Sequence, residues 1–289
     1  MNLSRMYIIS WFGNDSVRSK RIEYHDKQIE WAKKQGLDIY VLAQAYNFDE
    51  YRSGVTYLSP KLTDGIKVLL PGEARNNVLR HFYASDCDYA IIADNDSVLY
   101  EGEKYCDSTK FVEVFNNIPL SQLSQVDFFF PLNPGKVPFT KTLTENKHKF
   151  DNFLVFKRNT DSKGSFGVLK NMKKHYGTEF YYDELSYMTK DRKIIPGEDV
   201  DFGMNLLKNG YSCYMLHNII LKEYASSNST WVQGERSDDF PVSKEVIRNK
   251  FNLDLSAKGH LVYSSLYKNN TRDNNLLVDK NNNELFHFD

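Results

Sequence analysis

The chain has 289 residues, of which 41% are apolar and 26% are charged, and these proportions are typical of a globular protein. Its net charge is -1 and its mean hydropathy is -0.56, values that argue against a membrane protein, a disordered chain and a global positive field for nucleic acid. The three cysteines are widely separated and odd in number, which favours buried free thiols over a zinc site or a disulfide framework. The early apolar run, residues 6–12, is far shorter than the roughly 20 residues of a membrane span, and we expect a cytoplasmic protein.

The first part of the chain predicts a β-α-β unit. Residues 6–12 form an aromatic and β-branched run typical of a buried strand, and residues 16–35 carry apolar side chains at helical spacing until Gly36. Residues 38–46 then have the pattern of a second strand. Units of this kind favour a parallel sheet with helices on its faces, in which ligands bind beyond the carboxyl ends of the strands.

The middle of the chain contains the clearest strand. After a mixed loop at residues 47–70, Pro71 begins a predicted helix that runs to about Ser85, and residues 88–93 form an apolar run typical of a buried strand. The other elements that we predict are strands at 126–132, 152–156 and 211–224, helices at 164–176, 197–209 and 241–251, and a hairpin at 274–288. Without a repeat or a low-complexity linker, the pattern alone marks no firm domain boundary.

Two carboxylates, Asp94 and Asp96, follow the strand at 88–93, so both would emerge at the rim of the sheet where a ligand lies. Alternate residues of an extended segment share a face, and both side chains can therefore approach one hard cation. Oxygen ligands suit Mg²⁺ or Mn²⁺, and such ions usually bridge to substrate phosphates. The same acids could instead cap the turn before Ser97, so the triplet alone leaves both interpretations open.

Two further groups could take part in chemistry. Glu198 and Asp199 begin a predicted helix, where the helix dipole favours acids by roughly 0.3–1 kcal/mol, but where a carboxylate could also accept a proton from a substrate hydroxyl. On the helix before the Asp94 strand, Arg75 could form a bidentate contact with a phosphate or with an Asp carboxylate. A plain surface arginine is the alternative for Arg75.

The order of these groups resembles that of GT-A fold glycosyltransferases: an Ala-Arg-Asn helix, an apolar strand into Asp-x-Asp, and then Gly-Glu-Asp-x-Asp-Phe. The resemblance covers about residues 5–225. It implies an α/β, Rossmann-like fold with a mixed, mostly parallel sheet and helices on both faces. It further implies a catalytic domain at residues 1–240 and a small C-terminal extension, a helix and a hairpin, at residues 241–289.

The same resemblance implies an activity and the roles of single residues. The chain would be a metal-dependent hexosyl- or pentosyltransferase that uses a nucleotide sugar, with a UDP-sugar favoured. Asp94 and Asp96 would bind Mn²⁺ or Mg²⁺ against the donor diphosphate, and Glu198 and Asp199 would face the acceptor. Asp199 would be the catalytic base if the enzyme inverts the configuration at the anomeric carbon, and both outcomes occur on this fold. The other residues expected at the donor are Arg75, Asn76, Trp11 and Phe12.

One position departs from the family pattern. Many relatives supply a metal-binding histidine after the strand that follows the Gly-Glu-Asp helix, but this chain has Lys222 and Glu223 there. Glu223 could bind the metal instead, or Lys222 could offset the charge of the diphosphate.

Three hypotheses remain open: two enzymes with different acceptors, and a binding protein without turnover. A composition rich in Asn, Lys, Tyr and Phe is similar to that of tailed-bacteriophage proteins, and some of these viruses glycosylate hydroxymethylated cytosines in DNA, so duplex DNA with a modified cytosine is one candidate. The basic stretch at residues 147–174 could contact its phosphates. A bacterial surface polysaccharide would instead need aromatic platforms such as Tyr181, Tyr182 and Trp231. The third hypothesis is a nucleotide-binding or carbohydrate-binding protein without turnover.

Overall fold

The structure is a computed structural model of the chain. The described residues are 1–12, 15–44, 49–59, 68–95, 97–100, 111–124, 127–132, 147–150, 153–158, 166–195, 197–209, 211, 213–223, 245–247, 249–250, 276–278 and 284–287.

Ten strands form one mixed sheet in this described part of the chain. It begins with four parallel strands, in the order β3 (Thr56–Leu58), β2 (Asp38–Ala43), β1 (Leu3–Ser10) and β4 (Tyr89–Asp94). It continues through β9 (Phe166–Lys170), β6 (Phe128–Leu132), β10 (Cys213–Glu223), β8 (Phe153–Arg158) and β7 (Lys147–Phe150), and β5 (Ser97–Tyr100) also pairs with β10. β9 is antiparallel to both of its neighbours, whereas β6 and β10 are parallel.

Helices cover both faces of the sheet. One face packs against α1 (Asp15–Lys34), α3 (Phe111–Asn116) and α4 (Leu120–Leu123), and the other packs against α2 (Pro71–Tyr83), α5 (Met172–Tyr176) and α6 (Glu198–Lys208). Neighbouring strand residues alternate between the two cores, as Ile8 and Ile9 do on β1. The predicted α/β fold with a mixed sheet and helices on both faces is therefore confirmed.

The ends of α1 and α2 follow from local sequence. Gly36 has a φ of 69° and follows α1, and its N–H bonds to the carbonyl of Lys33 while that of Leu37 bonds to the carbonyl of Ala32. This paired arrangement is the Schellman motif, which glycine adopts without a Cβ penalty. Pro71 is the first residue of α2. The missing N–H of proline costs nothing at this position, because the first N–H groups of a helix have no partner within it. These signals place the two helix boundaries that the sequence predicts.

One predicted helix is wrong over its first half. The sequence predicts a helix at 164–176, but Phe166–Lys170 is the strand β9, between β4 and β6. Val168 and Leu169 are buried in opposite cores, which is the alternation of a strand, so pairing with two neighbours overrides local helical spacing. Asn171 then starts α5 by accepting a hydrogen bond from the backbone N–H of Lys174 at 3.1 Å.

The C-terminal residues contain the predicted hairpin. β11 (Leu276–Val278) pairs antiparallel with β12 (Glu284–His287), and residues 245–247 and 249–250 are helical. The strands β3, β5 and β7 lie in segments for which the sequence predicts no strand. Within the described residues, the helices are too short or too polar to cross a membrane.

Candidate functional site

A buried arginine joins the strand end and the acidic helix that the sequence singles out. Arg75 on α2 is 6% exposed, and its Nη2 donates to Oδ2 of Asp94 at 3.0 Å. Its Nη1 donates to Oε1 of Glu198 at 2.6 Å. Asp94 ends β4 and Glu198 begins α6, so residues that are distant in sequence meet at the carboxyl edge of the parallel strands. Open sheets of this type bind ligands at that edge.

The Arg75 guanidinium also packs against an aromatic ring, which in turn stacks on a second ring. The Cζ of Arg75 lies 5.4 Å from the ring centroid of Tyr182, and the Tyr182 ring stacks on Phe202 of α6 at 4.2 Å with 6° between the planes. A cation over an aromatic face is attracted to the ring, and more strongly when it is desolvated. Arg75 therefore has a fixed position, set by α6 as well as by its two carboxylate partners.

The charges around Arg75 include a third acid. Burial lowers the pKa of the Arg75 guanidinium, but Asp94, Glu198 and, more weakly, Asp199 outweigh that effect and raise it well above its ordinary value. Burial also raises the pKa of the Tyr182 hydroxyl, with Arg75 opposing the shift and Asp199 adding to it. Asp199 thus acts electrostatically on the same guanidinium, in addition to the two carboxylates that are bonded to it.

This donor set is compatible with a hard divalent cation. Asp94 lies at the rim with its side chain 27% exposed, and carboxylate oxygens are ligands that Mg²⁺ and Mn²⁺ prefer. Within the described residues, no three His, Cys, Asp or Glu side chains are grouped closely enough to hold a metal. Mg²⁺ often keeps several waters and uses only one or two protein carboxylates together with substrate phosphates.

Two of the predicted metal ligands have side chains outside the described part of the structure. Asp96 lies outside the described residues, and for Glu223 the structure describes the backbone alone. That backbone pairs with Ser97 between β10 and β5, so the chain brings position 223 next to the Asp-x-Asp segment. Sequence order alone could not have shown this proximity.

The predicted nucleotide residues differ in exposure. Trp11 is half-buried, and its carbonyl accepts hydrogen bonds from Nη1 of Arg21 and from Nδ2 of Asn95, both at 3.2 Å. Phe12 is 4% exposed and packs edge-on against His25 with ring centroids 5.4 Å apart. Trp11 therefore lies next to the Asp94 segment, while the Phe12 ring faces the core.

Asn76 stands beside Arg75 on α2 and fixes the segment that carries Tyr182. Its Nδ2 donates to the carbonyl of Tyr182 at 2.8 Å and to Oε1 of Glu184 at 2.6 Å. Its Oδ1 accepts from the N–H of Tyr182 at 2.7 Å. With 2% exposure and these three bonds, Asn76 positions the ring under Arg75.

A second charged group, which the sequence analysis does not single out, is centred on Asp201, on the buried face of α6. Asp201 is buried, and its carboxylate accepts from the Tyr187 hydroxyl at 2.9 Å and from Nζ of Lys250 at 2.7 Å. Burial raises the pKa of Asp201, and the bonds from Lys250 and Tyr187 oppose that shift. Lys250 also bonds to Asp183 at 3.0 Å, so it ties the C-terminal segment to α6. The signal in the sequence was an acid next to Phe202, on the buried face of the helix.

A small pocket with a cavity volume of about 10 Å³ lies beside Glu198, between the start of α2 and the segment before α6. Glu73 and Asp183 are among its lining residues. Arg192 binds Glu73 through two hydrogen bonds of 2.7 and 3.0 Å, and Lys250 binds Asp183. The pocket thus opens next to the acids at the start of α6.

Within the described side chains of the basic stretch, Lys170 is withdrawn from the surface. Lys170 is 1% exposed, and its Nζ donates to Asp127 at 2.7 Å near the amino end of β4, far from solvent. Lys173 and Lys174 form ion pairs with Glu179 and Asp88. The expectation that Lys170 contributes to a DNA-binding face is therefore wrong, because its charge is neutralised inside the fold.

The comparisons with known proteins add little to this geometry. No protein family and no curated protein sequence matches the chain. Among solved structures, the chain is similar to the STIV protein A197, with a TM-score of 0.38 and 12% sequence identity, over 78% of this chain and 87% of that one. Any function assigned to this chain therefore rests on its own residues.

Proposed function

We propose that the chain is a metal-dependent glycosyltransferase of the GT-A type, which transfers a sugar from a nucleotide sugar, with a UDP-sugar favoured, to an acceptor hydroxyl. One observation carries the proposal. Arg75 joins Asp94, at the end of the central strand β4, to Glu198, at the start of α6, in a single buried cluster at the ligand-binding edge of the sheet.

The donor would lie at the Asp94 side of this cluster. A divalent metal held there by Asp94, Asp96 and Glu223 would supply Lewis-acid stabilisation of the departing nucleoside diphosphate. Both Nη atoms of Arg75 are bonded to Asp94 and Glu198, so Arg75 would orient Asp94 and offset the charge of the diphosphate, and the Tyr182 ring and Asn76 keep it in place. The half-buried Trp11 would border the nucleotide, whereas Phe12, whose ring faces the core, would support this segment from within.

The acceptor would lie at the α6 side. Asp199 begins α6 next to Glu198 and close enough to Arg75 to affect the pKa of its guanidinium. A carboxylate in that place can take the proton of an acceptor hydroxyl while the oxygen attacks the anomeric carbon and the diphosphate leaves.

Matched substitutions of the two acids test this division of roles. Asp199→Asn should lower transfer from a UDP-sugar by about 10²–10⁴-fold, the usual contribution of a general base, while UDP affinity in Mn²⁺ stays unchanged. Asp94→Asn should instead remove the Mn²⁺-dependent part of UDP affinity, measured by calorimetry. Asp191→Asn, at an exposed position, is the control for the loss of one carboxylate. Wild-type turnover in both variants would refute the proposal.

For the acceptor we favour a glycan over modified DNA. Tyr181 is half-buried beside α2 and can contribute an aromatic surface for a sugar ring, whereas Lys170 is withdrawn from the basic stretch. The Tyr182 ring cannot serve in this way, because Arg75 and Phe202 cover its two faces. A screen would offer the enzyme, a UDP-sugar and Mn²⁺ with oligosaccharides or with hydroxymethylcytosine DNA, and would detect products by mass. Glycosylated DNA with unmodified oligosaccharides would reverse the preference. Donor binding with neither product and no donor hydrolysis would favour a binding protein.

A further inference from the structure

A row of polar side chains on α1 is buried under the carboxyl ends of β1 and β4. Arg21, His25 and Gln28 share one face of the helix, and each is at most 7% exposed. His25 Nδ1 lies 3.0 Å from Oγ of Ser10, at the end of β1. Gln28 Nε2 donates to the carbonyl of Asp94 at 2.8 Å. The row therefore fixes the ends of the two central strands from the face opposite Arg75.

Asn95, the middle residue of the Asp-x-Asp segment, belongs to this row. Its backbone N–H continues the ladder by donating to the carbonyl of Ile9 at 3.1 Å, and its side chain is 1% exposed. Oδ1 accepts from Nη1 of Arg21 at 3.1 Å, and Nδ2 donates to the carbonyl of Trp11 at 3.2 Å. Because strand residues alternate, Asp94 points to the α2 face and Asn95 to the α1 face.

We infer that Asn95 and Arg21 are positioning residues that set the distance between the two walls of the proposed donor site. Arg21, Asn95 and the Trp11 carbonyl form a closed triangle of hydrogen bonds, which joins the segment after β1 to the segment after β4. The first segment would border the nucleotide and the second would hold its diphosphate. The role in the donor site rests on the proposed function, whereas the triangle itself does not.

An amide suits the middle position for a chemical reason. Asn95 must accept from a guanidinium and donate to a carbonyl at the same time, and asparagine carries one group of each kind. Aspartate keeps the bond from Arg21 but has no donor for the Trp11 carbonyl and places two oxygens against each other. Alanine removes both bonds and leaves the buried Arg21 without this acceptor.

The test compares Asn95→Ala, Asn95→Asp and Arg21→Gln with the control Lys27→Gln, which removes a charge from the exposed side of α1. Hydrogen exchange of the amides at residues 9–12 and 94–95 reports the triangle without any ligand. We expect at least tenfold faster exchange in the three variants, and no change in the control. UDP affinity in Mn²⁺ should fall at least tenfold in Asn95→Ala and less in Asn95→Asp, since the aspartate keeps one bond.

The outcomes separate the two proposals. Unchanged exchange in folded Asn95→Ala would overturn the triangle as a positioning device, and faster exchange with unchanged UDP affinity would overturn its role at the donor. A wild-type protein that binds no UDP would count against the proposed function, and exchange alone would then decide whether the triangle holds the strand ends. Thermal melting of each variant identifies global unfolding, and Arg21→Lys serves as a milder variant if Arg21→Gln fails to fold.

Discussion

Two buried cations pair with carboxylates at opposite edges of the sheet, and their surroundings differ. Lys170 is 1% exposed, and its Nζ is bonded to Asp127, to the Ser124 carbonyl and to the Tyr176 hydroxyl. Arg75 is also buried, at 6% exposure, but its partners Asp94 and Glu198 are 27% and 13% exposed at a rim.

The difference separates a structural ion pair from a candidate chemical one. An ammonium has three donors, and all three of Lys170 have protein partners, so the group has nothing left to offer a ligand. The carboxylates bonded to Arg75 are instead partly open to solvent at the rim, so their remaining lone pairs can be reached by a ligand or a cation. Accessible carboxylates around a buried guanidinium, at the ligand-binding edge of the sheet, are the arrangement expected of a functional site.

The largest expected effect is at the closed pair. Lys170→Met should lower the free energy of unfolding by about 3–5 kcal/mol, because it leaves the buried Asp127 carboxylate without its cation. Urea denaturation measures this loss, and turnover per folded molecule should stay at the wild-type value. The control is Lys173→Met, which breaks a largely exposed pair with Glu179 and should cost about 1 kcal/mol at most. Equal stability of the two variants would contradict the distinction.

A third buried basic side chain, that of His25, extends the comparison, because it has no carboxylate hydrogen-bonded to it. Burial lowers the pKa of His25 from 6.5 to about 4, while Asp26 slightly raises it and Arg52 lowers it. The unfolded chain therefore takes up the proton first, and stability falls as the pH drops from about 6.5 to about 4. The full loss is about 3 kcal/mol at about 1.4 kcal/mol per pH unit.

His25→Gln should flatten this part of the pH dependence of unfolding, measured with urea between pH 4 and 7. The pKa of His81 is also lowered, by burial and by Arg5, but that contribution is present in both proteins. The difference between wild type and variant therefore isolates His25. Parallel curves would mean that His25 takes up its proton at the same pH in the folded and unfolded states, so that burial does not lower its pKa.

The smallest of the three effects on stability, and a clear effect on binding, are expected at the open pair. Arg75→Gln should weaken UDP affinity in Mn²⁺ by roughly 10–100-fold, the usual worth of charge-assisted hydrogen bonds. Its cost in stability should stay below that of Lys170→Met, because water can reach Asp94 and Glu198 once the guanidinium is gone. Arg80→Gln, half-exposed on the same helix, is the control for calorimetry. If the loss in free energy of unfolding exceeds the loss in binding free energy, Arg75 has a structural role like that of Lys170.

The sequence predicts much of this fold because several signals are local. The apolar runs of β1 and β4, the Gly36 end of α1 and the Pro71 start of α2 depend on neighbouring residues alone. The segment Phe166–Lys170 was misjudged because its partners β4 and β6 come from distant parts of the chain. The short strand β3 was missed for a different reason: three residues carry too little pattern to predict a strand.

For the candidate site, the sequence by itself determined which residue types stand at the strand end and the helix start: Asp94 after β4, and Glu198 and Asp199 in the first turn of α6. Only the tertiary structure decided that Arg75 joins them, that Tyr182 lies under it, and that Asn95 turns to Arg21 instead. The physical reason is that local sequence sets the direction of a side chain along its own element. Which groups it meets depends on how the sheet brings distant elements to one edge.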